Sequence, residues 1–192
     1  MDKYYADAKR AAILESALAE FGDSGFAGSS MRRVAERARI AKGTLYLYFA
    51  DKSSLFDAAL DYGWDRFIAE TEALLAGGGS ELERLGRVLD LGLERLRPAQ
   101  PLLKGMLFEG NRRELVAAKV ERLCAAIRGA FEGTELQGFE PGEGEALLRL
   151  VIAGTLFEIS AAPPGRLDEA ARRVRAEVGA VMRAALGRGR VG

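Results

Sequence analysis

An all-α fold is predicted by three features of this 192-residue sequence. Apolar residues recur at three- and four-residue intervals along nearly the whole chain, and almost no segment alternates as a half-buried strand does. Glycine and proline gather at a few breaks, such as Gly77, Gly78, Gly79 and Pro163, Pro164, Gly165, leaving periodic stretches of helical length between them. Serine and aspartate stand where several of those stretches begin, as helix N-caps do.

Leu14, Ala17, Leu18 and Phe21 share one face of a first helix, which stops in the glycine-bearing region 22–28. Ser30 caps a second helix with an inner face of Met31, Val34, Ala35 and Ala38. A third helix, from Lys42 to Tyr48, is very short. Asp51 caps a long fourth helix that carries Leu55, Phe56, Ala59, Leu60, Trp64, Phe67 and Leu74 inward. Ser80 and Glu83 form a capping box for a fifth helix through Leu96, and Pro98 and Pro101 are expected to interrupt the pattern. Segments at 102–109, 112–131, 143–162 and 167–186 follow, for about nine helices in all.

Composition excludes much of enzyme chemistry. The chain has no histidine, which removes Ser-His-Asp and Cys-His nucleophile systems, HExxH zinc sites and the commonest general base. A single cysteine, Cys124, allows no internal disulfide and no multi-cysteine metal site, and is read as a buried small apolar residue. No metal and no cofactor is therefore expected, and the chain is not read as an enzyme. No apolar run is long enough to span a bilayer, and the start, MDKYYADAKR, leads into an amphipathic segment; the expectation is a cytoplasmic protein without a membrane partner. Formal net charge is zero, so any basic surface must be local.

The stretch RIAKGTLYLYF, residues 39–49, holds such a surface. At about 100° per residue Leu45 and Phe49 point one way, towards Met31, Val34 and the first helix. Gly43 and Leu47 point the other way, with Thr44 and Tyr46 on the flanks. A short helix that turns a glycine, a threonine and a leucine to solvent is not serving a core on that side. From Arg32 to Lys52, six basic residues (Arg32, Arg33, Arg37, Arg39, Lys42, Lys52) stand against Glu36 and Asp51, a local excess of +4. A duplex phosphate backbone would require such an excess.

The physical reading is a helix-turn-helix, with 32–38 crossing the backbone and 42–48 entering the major groove. Gly43 lets the backbone approach closely, and Lys42 reaches phosphate or a guanine edge. Leu47 and the Thr44 methyl meet thymine methyls, while Ser30, Tyr46 and Tyr48 offer hydroxyls to phosphates. Arg32 and Arg33 are candidate DNA contacts, and alternatives stay open: Tyr46 and Tyr48 as the edge of the core, Arg33 and Arg37 as a solvated face rather than phosphate contacts, and Lys52 as no more than the start of a helix.

These residues resemble the TetR-type transcriptional regulators. The similarity runs from Ile13 to about Leu60 and is carried by Phe21 with Gly25 and Phe26, by Ser30, by Val34 with Ala35, by the K-G-T-L-Y-x-Y-F run at 42–49, and by Lys52 with Leu55. Two positions depart from the family pattern: Arg39 stands where glycine is common in the turn, and Ala41 where a capping serine or threonine is frequent. The resemblance implies an all-helical homodimer with an N-terminal three-helix DNA-binding domain, residues 1–50, and a larger effector-binding and dimerisation domain, residues 51–192, joined by a connecting helix at 51–76. It also implies a pocket between the fourth to eighth helices.

The pocket's expected lining is Trp64, Phe67, Leu89, Leu93, Met106, Leu107, Phe108, Leu123, Ile127 and Phe157, which suits an apolar or aromatic ligand; a fully packed core is the alternative, for Trp64 above all. The last two helices mix small and branched residues that allow close approach, and Leu150, Val151, Gly154, Ile159, Val174, Val178, Val181 and Met182 are expected at a two-fold interface closing a four-helix bundle. The function expected is a ligand-responsive repressor that binds a palindromic DNA operator as a dimer and is released by a small-molecule effector. The alternative is a helical ligand-binding or interaction protein without DNA binding, which leaves the +4 segment idle.

Overall fold

Capping residues set several of the helix boundaries. A computed structural model of the chain describes residues 2–104, 106, 113–130, 143–163 and 165–188. Among the described residues there are eight α-helices and no strand: α1 (Asp2–Gly28), α2 (Met31–Arg37), α3 (Lys42–Tyr48), α4 (Lys52–Ala76), α5 (Glu81–Lys104), α6 (Arg113–Ala130), α7 (Glu143–Ala161) and α8 (Leu167–Arg188). None of them is long and apolar enough to cross a membrane.

The expected capping chemistry is present. The Ser30 hydroxyl accepts from the Arg33 N–H at the start of α2. Asp51 accepts from the Ser54 N–H at 2.7 Å, and that backbone bond, with the Ser54 hydroxyl next to it, holds the Asp51 carboxyl below its ordinary range. Ser80 and Glu83 bond reciprocally, Ser80 N–H to Glu83 Oε2 at 2.8 Å and Glu83 N–H to Ser80 Oγ at 3.3 Å.

The prolines do not end α5 as expected. The helix runs through Pro98 and Pro101 to Lys104, so the expected breaks at these prolines are absent and eight helices stand among the described residues. A proline inside a helix deprives the carbonyl four residues back of its donor. Here those carbonyls belong to Glu94 and Arg97, and both residues are exposed, as are both prolines, so the helix can continue where solvent is near. Residues 107–112, including most of the expected segment at 102–109, lie outside the described residues.

The chain forms two compact units, Met1–Arg66 with Pro98–Gly105, and Phe67–Arg97 with Met106–Gly192. The core of the first is Ile13, Leu14, Ala17 and Phe21 of α1, Met31, Val34 and Ala35 of α2, Leu45 of α3, and Leu55, Phe56 and Ala59 of α4, with Phe49 and Leu102. α1 is broken near its end at Gly25 (φ 66°, ψ 173°), a backbone that glycine adopts without strain. The break swings Phe26 back, and Phe21, Phe26 and Phe56 form a cluster with both Phe56 contacts edge-to-face at 4.9 Å. A second glycine is needed for closeness alone: a Cβ on Gly22 would stand 2.8 Å from the Pro98 carbonyl oxygen.

In the second unit, Leu93 of α5, Ile159 of α7 and Ala170, Ala171, Val174 and Val178 of α8 pack into one apolar cluster. Exposed ion pairs tie neighbouring helices, Arg149 to Glu121 at 2.8 Å and Arg128 to Glu145 at 2.7 Å between α6 and α7, and Arg173 to Glu158 at 2.6 Å between α7 and α8. Within α4 the buried residues past the first unit are Ile68, Thr71 and Leu75; Leu74, expected inward, is half-buried, one step off that stripe.

Candidate nucleic-acid interface

The turn between α2 and α3 is a Schellman motif. The Ile40 N–H bonds to the Ala35 carbonyl at 3.0 Å and the Arg39 N–H to the Glu36 carbonyl at 3.1 Å. This closure needs a left-handed residue between them, and Arg39 takes it at φ 54°, the only positive φ at a non-glycine residue among those described. The side chain costs about 1 kcal/mol there relative to glycine. α3 starts at Ala41 without a side-chain cap and ends where Phe49 turns extended.

The two faces of α3 differ as the spacing requires. Leu45 and Phe49 are buried, whereas Leu47 is 85% exposed and Tyr46 45%. A Cβ on Gly43 would meet nothing within 4 Å. Lys42 is exposed, with its ammonium 5.7 Å from the centre of the Tyr46 ring. Thr44 and Tyr48 flank this face, half-buried. An exposed leucine beside an open glycine and a lysine presents methyl groups, close backbone and positive charge together, which is what a major-groove edge can use.

The cations of α2 are placed differently from what was expected. Glu20, only 4% exposed on the inner side of α1, takes the Arg33 Nε–H at 2.5 Å, and the same guanidinium bonds to the Ser24 hydroxyl and the Gly28 carbonyl. Arg37 bonds to Asp23 at 2.5 Å. Arg33 therefore fastens α2 to α1, with its side chain 45% exposed. The Lys52 ammonium likewise donates to the Phe26 carbonyl at 2.7 Å and the Ser29 carbonyl at 3.2 Å, and lies 4.5 Å from the Phe26 ring centre. In the chain without DNA it locks the α1–α2 corner. Arg32 pairs with Glu36 at 3.2 Å on an open surface, where such a pair is weak and easily exchanged. Counting Glu20 and Asp23 lowers the local excess from +4 to +2. Glu20 and Asp23 were missed because only residues 32–52 were weighed; the sequence signal is a carboxylate on an otherwise apolar stripe.

Of the expected pocket residues, Leu93, Met106, Leu123 and Ile127 are buried, and Phe67 and Leu89 half-buried, all in the second unit. Trp64 belongs to the first unit, and Leu107 and Phe108 lie outside the described residues. Phe157 is 54% exposed and so does not line an interior. It shares a face with Leu150 and Gly154, while Ile159 lies about 180° from Leu150 around α7. Ile159, Val174 and Val178, expected at a subunit interface, are thus buried in the chain's own core, with Val151 and Met182 packed against it. Leu150, Gly154 and Val181 are exposed. Two threonines in this unit, Thr71, fully buried, and Thr155, carry hydroxyls without a hydrogen-bond partner. Cys124 is buried, and that burial pushes its thiol above the ordinary range. Among the described residues no cluster of side chains could hold a metal ion.

Comparison with known proteins gives an independent result. Residues 13–59 match the family described as bacterial regulatory proteins, tetR family. The HTH-type transcriptional repressor KstR of Mycolicibacterium smegmatis is 38% identical over 95 residues, 50% of this chain and 46% of that protein. Its Mycobacterium tuberculosis counterpart is matched over 43% of its length, so the chain spans less than half of each of these curated relatives. The fatty acid metabolism regulator protein of Bacillus subtilis is 23% identical over 76% of this chain and 78% of its own. Among solved structures, a putative TetR-family transcriptional regulator from a Rhodococcus species superposes with a TM-score of 0.70 at 23% identity, covering 93% of this chain and 98% of that one. That likeness is one of fold.

Proposed function

We propose, from the match of residues 13–59 to the tetR family of bacterial regulatory proteins, that this chain is a DNA-binding repressor of transcription. It acts as a dimer, reads an inverted-repeat operator with one α3 in each half-site, and is released by a small apolar or aromatic effector. Its similarity to transcriptional regulators supports a regulatory rather than an enzymatic role.

The observation that carries the reading is the outer face of α3, where Leu47 stands 85% exposed beside Gly43 and Lys42 while Leu45 on the opposite side is fully buried. A solvent-facing leucine gains nothing in the free protein. It gains when thymine methyls cover it. The exposed stripe of Leu150, Gly154 and Phe157 on α7 supports a second copy as the dimer partner, since small and large apolar residues alternate as helix packing needs. An apolar effector is supported by the second unit's buried side chains, and by similarity to a protein named for fatty acid metabolism. The hydroxyls of Thr71 and Thr155 would suit an effector that also carries a polar group.

The test is selection of bound fragments from random duplex DNA with the purified protein. Enrichment of an inverted repeat, with affinity that falls steeply as salt rises, is the expected outcome. Enrichment of no sequence, with no duplex bound even at low salt, would overturn the reading.

A further inference from the structure

The cations of α2 are held by acids, and this raises the question of which charges border α3. One lies outside the helix-turn-helix altogether. The first buried residue of α1 is Ile13, and residues 5–10 are all exposed. Arg10, on the last exposed turn before the core, places its guanidinium carbon 5.7 Å from the centre of the Phe49 ring. Phe49 is the residue on which α3 ends. Arg10 forms no ion pair among the described residues, in contrast to Arg32, Arg33 and Arg37.

Two exposed cations rest on aromatic rings of this region, Lys42 over Tyr46 along α3 and Arg10 over Phe49 at its finish. At about 1.5 Å per residue the seven residues of α3 span about 10 Å. The major groove of B-DNA is about 12 Å wide and is bordered by a phosphate strand on each side. An exposed cation beside an apolar, glycine-bearing face of this length is placed to meet a phosphate strand bordering the groove that the face enters.

We propose that Arg10 is a DNA-backbone contact beside the end of α3, and that the interface extends from α2 and α3 onto the exposed start of α1. The Phe49 ring holds the guanidinium by a cation–π contact while Arg10 stays exposed, and a guanidinium on a ring face can still donate to phosphate oxygens. Such a contact orients the protein without reading sequence. The inference rests on the DNA-binding reading above.

The experiment is equilibrium binding of the full chain to a duplex of random sequence over a range of salt, for the wild type, Arg10→Ala and Arg10→Lys, with thermal unfolding of each. Loss of one phosphate contact should lower the log–log salt slope by about 0.9, so that the affinity of Arg10→Ala relative to wild type climbs about 3.5-fold between 50 and 200 mM salt. Arg10→Lys should return the wild-type slope. A wild-type slope in Arg10→Ala, whatever its melting temperature, would reduce Arg10 to a cover for Phe49 and overturn the proposal. Absence of duplex binding by the wild type is a different result, and would remove the DNA-binding reading together with this one.

Discussion

α3 and α7 both expose large apolar side chains, Leu47 and Tyr46 on one, Leu150 and Phe157 on the other, yet their surroundings differ. Around α3 the cations Arg10, Arg39 and Lys42 have no ion-pair partner among the described residues. Around α7 the charges are balanced within the unit, Arg149 by Glu121 and Glu145, and Glu158 by Arg173. Small residues, Ala153 and Gly154, lie between the large ones on α7. An exposed apolar face bordered by uncompensated positive charge suits a polyanion that also carries methyl groups. One bordered by neutralised charge and small residues suits another helix. Exposure alone does not identify a partner; the charge left over beside it does.

The sharpest way to break this comparison is to test which cations are already spent. Arg33→Ala would leave the Glu20 carboxylate buried beside only the Arg37 guanidinium at 3.9 Å. Breaking a fully buried pair costs 3–5 kcal/mol. With the Arg33 side chain 45% exposed, a loss of about 2 kcal/mol in urea unfolding is expected. Undiminished stability together with a lower salt slope for DNA would return Arg33 to the phosphate contacts.

A smaller effect sharpens the account of the second unit. Thr71→Val exchanges a buried, unpartnered hydroxyl for a methyl of similar size, and should raise stability by about 1 kcal/mol. A fall in stability would mean that the hydroxyl is satisfied in solution and carries no preference for a polar effector. Smallest of all is the turn. Arg39→Gly relieves the left-handed strain but adds freedom to the unfolded chain, so the net gain should be about 0.5 kcal/mol in thermal unfolding without DNA. DNA binding should weaken slightly and lose some salt sensitivity, because one positive charge beside α3 is gone. A clear loss of stability would place the strain elsewhere.

The first unit was legible where local chemistry decides the outcome. Ser30 and Asp51 announce their helices, the bounds of α3 follow from Lys42 to Tyr48, and the left-handed turn residue falls at Arg39. What the sequence hid was long-range pairing. That Glu20 takes Arg33 and that the Phe26 and Ser29 carbonyls take Lys52 depends on how α1 folds back after Gly25. In the second unit, periodicity found α7 and α8 but not their outward faces. Both are apolar on more than one side, so Leu150 and Ile159 could not be told apart as outside and inside until the packing of α5 and α8 was seen. The prolines of α5 misled for a related reason: their cost depends on whether the carbonyls they orphan reach water.

The central claim, that the outer face of α3 enters the duplex, is tested most directly by Leu47→Glu, with unfolding and DNA binding measured on the same preparation. Because Leu47 is 85% exposed, stability should stay within about 0.5 kcal/mol of wild type. The new carboxylate would meet a groove lined by phosphates, so binding to the selected operator should be lost. A folded Leu47→Glu protein that binds that operator as well as the wild type would contradict the claim, and would move the interface away from α3.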